Sequence, residues 1–290
     1  MIEKIHHVGI VVRSLDEALV FYRDALGLPV HKSATIQDQG VKAALLTLGD
    51  SELELLEPID AESGVARFLE RRGEGLHHIC FQTDDVEGEM AAARAKGVEL
   101  IDQEPRRGVA GLICFCHPRA HHGTLVELAQ PLAENPWPAV ELSDASGAGE
   151  RRASPLLRGL DHLVLAVRDL DAAARTWEAN LGLKAEAAFQ PEGANFRLAA
   201  LPVGGQGTFL ELITPLRAEH RVGRFLDEQG EGMFSVSCRV DDVEEAVSYL
   251  REKGATVSEP EPGVFEGTRV ARVNRGSAHG VALQLIELGH

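Results

Sequence analysis

Apolar positions along the chain follow two periods, and the switch between them marks out a small unit. Ile5–Val12 is a β-rich run with Val8, Ile10 and Val12 on one side and His7, Gly9 and Val11 on the other. Leu15, Leu19, Tyr22 and Leu26 then recur at helical spacing. Ser14 and Glu17 stand at capping-box spacing before this run, and Gly27 is placed to end it. Two strand-like segments follow, Lys42–Leu48 and Glu52–Leu56. The pattern predicts a βαβββ unit of an α+β fold, with helices on one side of a curved sheet and a concave surface on the other.

The unit repeats. HVGIVVRSLDEALVFYRDALGL from His7 returns as HLVLAVRDLDAAARTWEANLGL from His162. RFLERRGEGL from Arg67 matches RFLDEQGEGM from Arg224, DDV at Asp84 matches DDV at Asp241, and His122-Gly123 matches His279-Gly280. A fainter inner repeat sets HHVGIVV at His6 beside HHICFQT at His77, each followed by an acidic, alanine-rich helical stretch. Four units in two tandem halves are therefore expected, with domains over 1–132 and 157–290. Between them, 133–156 reads as a linker rich in proline, alanine, serine and glycine with no apolar period.

The remaining bulk properties narrow the partners. A chain of 290 residues with 44% hydrophobic and 26% charged residues is expected to be globular, and no apolar run is long enough to span a bilayer. The N-terminus lacks the basic start and cleavage site of a signal peptide, which predicts a cytoplasmic protein. A formal charge of −16 opposes binding to phosphate backbones and gives no long-range help in capturing an anionic substrate. The cysteines, Cys80, Cys114, Cys116 and Cys238, suggest no disulfide framework, and Cys114 with Cys116 reads as two small apolar residues on one strand face. No P-loop, dinucleotide fingerprint or nucleophile elbow is present. His117 and His121 in HPRAHHG imitate a helical metal motif, but proline and glycine make the segment a loop.

Strand alternation assigns candidate chemistry to the concave face. It sends His7 there from the first unit and His78 from the second. With Leu53 and Leu55 under a helix, Glu52 and Glu54 face inward; with Val126 and Leu128 buried, so do Leu125, Glu127 and Ala129. Two imidazoles and two carboxylates from equivalent positions of two units suit one divalent metal ion with room for water. The alternative is four separate residues at exposed strand ends.

These segments, HHVGIVV, QDQGV from Gln37, LELLEP, GLHHICF, His117-Pro118 and GTLVEL, are similar to the vicinal oxygen chelate superfamily and, within it, to the methylmalonyl-CoA epimerases. The resemblance covers nearly all of Ile2 to Pro131. It implies ligation of one divalent ion (cobalt, manganese, zinc, nickel or iron) by His7, Glu54, His78 and Glu127, and a small acyl-CoA substrate. The chain departs from it at Ala43, where some epimerases carry a glutamate proposed as a proton-transfer base; those members have glutamine in place of Glu54.

The reaction so implied is removal and return of the C2 proton of a methylmalonyl-CoA-like thioester; Glu127 is the candidate on one face, and on the other Glu54, or else a hydroxyl, water or another carboxylate. Arg106-Arg107, expected on a loop, is either a CoA-phosphate contact or a solvated pair. In the second half, His162 and Glu211 keep two ligand positions, while Ser235 and Gln284 replace the others, so that half is expected to be metal-free or weakly binding. It would then replace the partner subunit of a dimer or bind another ligand; the whole is expected to be a monomer or homodimer. Other chemistries on the same scaffold are a glyoxalase-type isomerase, an extradiol-type dioxygenase and a metal-free ligand-binding protein.

Overall fold

The computed structural model describes residues 1–133, 154, 156–205 and 207–289, so most of the expected linker at 133–156 lies outside the described residues. The first unit comprises β1 (Ile2–Val11), helix α1 (Leu15–Leu19), β2 (Val30–Ile36), β3 (Val41–Leu48) and β4 (Ser51–Pro58). Helix α2 (Gly64–Arg72) leads to the second: β5 (Gly75–Thr83), α3 (Val86–Ala95), β6 (Arg106–Gly108), β7 (Gly111–Cys116) and β8 (Leu125–Gln130). The third has β9 (Gly159–Ala166), α4 (Leu170–Leu181), β10 (Phe196–Val203) and β11 (Thr208–Pro215). In it the first hairpin strand shrinks to a single bridge, Phe189 with Leu198. Helix α5 (Arg221–Gln229) precedes the fourth: β12 (Gly232–Val240), α6 (Val243–Glu252), β13 (Glu261–Pro262), β14 (Arg269–Val273) and β15 (Leu283–Glu287).

Each half makes one mixed sheet, in the orders β2-β3-β4-β1-β5-β8-β7-β6 and β10-β11-β9-β12-β15-β14-β13. Within every unit the first strand lies parallel to the last, and the remaining pairings are antiparallel. This arrangement is α+β, as the alternating periods predict. No described helix is long and apolar enough to cross a membrane.

Local chemistry sets the helix ends. The Ser14 hydroxyl accepts from Glu17 N at 3.3 Å, and Gly27 takes φ 68° after the helix. The helical run is not α throughout: Val20–Ala25 widens into a π turn, with Leu26 N bonded to Phe21 O at 2.9 Å. The extra residue per turn lets the adjacent Phe21 and Tyr22 both turn inward.

The described chain packs into two compact units, and each draws on both halves. One holds 7–77 and 236–289 with the described residues of 134–161, the other 1–6 and 78–133 with 162–235. In the first, Tyr22 donates to Ala278 O at 2.9 Å, and His279 Nδ1 lies 3.2 Å from Glu74, which also accepts from Arg13 N at 2.8 Å. In the second, His122 Nδ1 lies 3.0 Å from Glu231, which accepts from Arg168 N at 2.7 Å. His122 and His279 adopt φ 49° and 48°, and the glycine after each lets the backbone approach closely; a Cβ on Gly280 would collide with the Glu74 carbonyl, and one on Gly123 with that of Glu231. The repeated Gly-Glu-Gly and His-Gly motifs thus build the same docking seam twice.

Candidate metal centre

Registers place the candidate donors. On the first pair of strands His7 lies opposite Glu52 and Gly9 opposite Glu54; on the second, His78 lies opposite Leu125 and Cys80 opposite Glu127. The offset of two residues between histidine and glutamate is the same in both units, so each presents one imidazole beside one carboxylate. His7 Nε2 is 3.4 Å from Glu54 Oε2, and His78 Nε2 is 2.9 Å from Glu127 Oε2. One donor atom from each of the four lies within 4.8 Å of the others. All four residues are buried, at 0%, 6%, 1% and 3% exposure for His7, Glu54, His78 and Glu127.

These distances suit a common ion. Two right-angled bonds of about 2.1 Å put their donor atoms about 3 Å apart. Burying an ionised carboxylate costs several kcal/mol unless a cation or donors compensate it. The donor set, two imidazoles with two carboxylates, is the chemistry of a borderline divalent cation.

The walls around the pairs differ. Beside His78, Phe115 stands edge-on with centroids 5.4 Å apart, and Cys80, Ala110, Ile113 and Ala129 form an apolar cluster with it. Arg106, expected on a loop, lies on β6 and is neither free nor simply solvated: its Nε is 3.0 Å from Asp102 and its guanidinium sits 5.3 Å from the Phe115 ring centre. Asp102 also accepts from Phe115 N at 2.8 Å, which ties the loop to β7. Cys114 and Cys116 are buried beside Leu128 and Val126, and burial pushes the Cys116 thiol up to about 12, so both behave as small apolar residues.

Near His7, the registers run Lys32, Leu45, Glu54 in one row and Ala34, Ala43, Leu56 in the next. Ala43 is fully buried and brings no proton-transfer group to that row. His31 Nδ1 lies 2.7 Å from the buried Glu52 carboxylate. His31 and Lys32 escaped the sequence reading because β2 carries a bulge between Val30 and Lys32 that blurs its alternation; the inward series Lys32, Ala34, Ile36 is the signal that was there. Burial lowers the Lys32 ammonium pKa, while Glu52 and Glu54 act to raise it.

In the second half Val164 pairs with Glu211 and Ser237 with Gln284, the same offsets as Gly9 with Glu54 and Cys80 with Glu127. His162 and Glu211 are buried. The His162 ring stacks at 4.8 Å on Phe209, which occupies the position of Glu52. Among the described residues, no group of three metal-capable side chains gathers in this half.

The model of the glyoxalase/bleomycin resistance protein/dioxygenase superfamily matches residues 6–117 and again 161–271. The ethylmalonyl-CoA/methylmalonyl-CoA epimerase of Cereibacter sphaeroides is 35% identical over 133 residues, 45% of this chain and 99% of that protein. The mitochondrial methylmalonyl-CoA epimerase of Homo sapiens is 33% identical over 129 residues, 44% of this chain and 73% of its own. Over the whole length, a variant of 4-hydroxymandelate synthase from Streptomyces coelicolor shares the fold, with a TM-score of 0.76 at 20% identity, covering 99% of this chain and 93% of that one. The chain therefore belongs to the glyoxalase/bleomycin resistance protein/dioxygenase superfamily, with two such domains in tandem and homology to methylmalonyl-CoA epimerases over its first half.

Proposed function

We propose that the first half is a metal-dependent epimerase of a 2-substituted malonyl thioester, methylmalonyl-CoA or a close relative. The observation that carries the reading is the buried set of two histidines and two glutamates, His7, Glu54, His78 and Glu127, with donor atoms within 4.8 Å of one another. Homology of this half to epimerases supports the substrate class.

His7, Glu54, His78 and Glu127 would hold a divalent ion, which would supply Lewis acidity toward a developing enolate. Glu127 takes the C2 proton from one face and releases it to solvent, while Glu54, having taken up a proton from solvent, returns it to the other face in place of the group that Ala43 lacks. Phe115, Ile113, Cys80 and Ala129 keep the His78 side apolar, which strengthens the electrostatics of the charged groups. The second half contributes packing to both compact units and, among its described residues, no second centre of this kind.

The test is incubation of the metal-loaded protein with methylmalonyl-CoA in deuterated water, read by mass spectrometry. One deuteron entering at C2 is expected. Absence of exchange in protein that demonstrably holds one ion per chain overturns the reading.

A further inference from the structure

We infer that a water molecule is bound inside the seam between helix α4 and the Pro118–His121 turn, bridging Trp177 to His121 and Thr124. Thr176, Trp177 and Asn180 face this turn from α4. Thr176 Oγ1 lies 3.2 Å from His122 Nε2, and Asn180 Nδ2 donates to Ala120 O at 2.9 Å. Between these two direct contacts, the Trp177 ring centre lies 5.1 Å from that of His121. Here the direct pairing stops: Trp177 Nε1, both ring nitrogens of His121 and Thr124 Oγ1 are buried with no hydrogen-bond partner among the described residues. Trp177, His121 and Thr124 are 0%, 0% and 1% exposed, so bulk solvent reaches none of them. Buried donors and acceptors are nearly always paired, with protein or with ordered water, and a bare one costs more than a typical hydrogen bond contributes.

The other seam provides an internal control. By the repeat, Tyr22 stands at the position of Trp177, Ala278 at that of His121 and Val281 at that of Thr124. The backbone turn is the same in both, with Thr124 N donating to His121 O and Val281 N to Ala278 O, each at 3.0 Å. In that seam the Tyr22 hydroxyl donates directly to Ala278 O at 2.9 Å, and the other two side chains are apolar. One seam is therefore closed by a direct bond, while its copy is polar at all three positions and needs a mediator. The donor and acceptor inventory fits water. An indole N–H only donates, a neutral imidazole has one donor and one acceptor nitrogen, and a threonine hydroxyl is both. Water accepts from Trp177 and donates to His121, with Thr124 as the third partner, the coordination usual for a buried water. An ion does not fit: the indole cannot ligate a cation, and three neutral groups do not repay the desolvation of a charge.

A high-resolution crystal structure of the full wild-type chain tests the site, and it does so independently of the proposed reaction. A density peak is expected about 2.7–3.2 Å from both Trp177 Nε1 and one ring nitrogen of His121. In solution, the indole proton of Trp177 should show a nuclear Overhauser effect to a long-lived water. Combining His121→Ala, Thr124→Val and Trp177→Tyr copies the other seam; this variant should lose the peak, and magnetic relaxation dispersion, which counts long-lived internal waters, should fall by at least one molecule. Should that variant fail to fold, the wild-type map decides alone. A map in which the four polar atoms pair with protein groups, or stand with no peak beside them, overturns the inference, as does a folded triple variant with undiminished dispersion.

Discussion

His121 provides a quantitative test of the packing around the second unit. It ends the 3-10 turn Pro118–His121, is fully buried, and its ring centre lies 5.1 Å from that of Trp177. Neither of its ring nitrogens has a hydrogen-bond partner among the described residues, and Trp177 Nε1 likewise has none. Burial, with a smaller contribution from His122, lowers its pKa from 6.5 to about 4. Because the folded-state value lies below the unfolded one, the unfolded chain takes up the proton first as pH falls. The stabilising effect of keeping this ring neutral is therefore complete above 6.5, declines through the window down to 4, and is gone below it. Linkage over that interval amounts to about 2 kcal/mol between pH 7 and pH 5, and about 3 kcal/mol by pH 4. Urea unfolding of wild type and His121→Phe across pH 7 to 4 measures it, since the groups common to both cancel in the difference. The wild type should lose stability relative to the variant by these amounts. Parallel pH profiles for the two proteins would refute the account of a buried neutral imidazole.

Glu127→Gln should reduce deuterium exchange into methylmalonyl-CoA by about 10²- to 10⁴-fold, the usual worth of a positioned general base, as read by mass spectrometry. A divalent ion at about 100 times its dissociation constant should stabilise the protein by about 3 kcal/mol over chelator-treated protein; equal calorimetric transition temperatures would rule out a site closed by folding. Gly280→Ala should destabilise by about 1–3 kcal/mol more than Gly230→Ala. Both glycines have similar positive φ, 79° and 78°, but only Gly280 abuts the Glu74 backbone, so chemical denaturation of the pair separates the close approach from the backbone cost.

Strand alternation in the sequence put His7, Glu52, Glu54, His78 and Glu127 on the inward face, because each lies in a regular strand; it did not separate Glu54 from Glu52, which share a face, and the family resemblance was what singled out Glu54. No strand was placed at β2, where the bulge between Val30 and Lys32 and the polar run around it conceal the inward series that includes Lys32. Helical spacing in Leu15, Leu19, Tyr22 and Leu26 showed a helix but not its π turn. That widening is coupled to tertiary packing: it buries Phe21 beside Tyr22, whose hydroxyl reaches a carbonyl 256 positions away. Likewise the repeated Gly-Glu-Gly and His-Gly motifs were conspicuous as text, yet their meeting joins residues 109 and 205 positions apart, a separation no local period encodes.

The doubled seam also bears on how the two halves can diverge. Each compact body closes its interior with material from both copies, so neither copy can be discarded without laying open the other. Removing the trailing copy would therefore bare apolar surface in both bodies, whether or not that copy binds anything. The latch rests on His279, Gly280 and Glu231, so substitutions there would loosen the copies from each other, a cost that falls on the fold before it falls on any site.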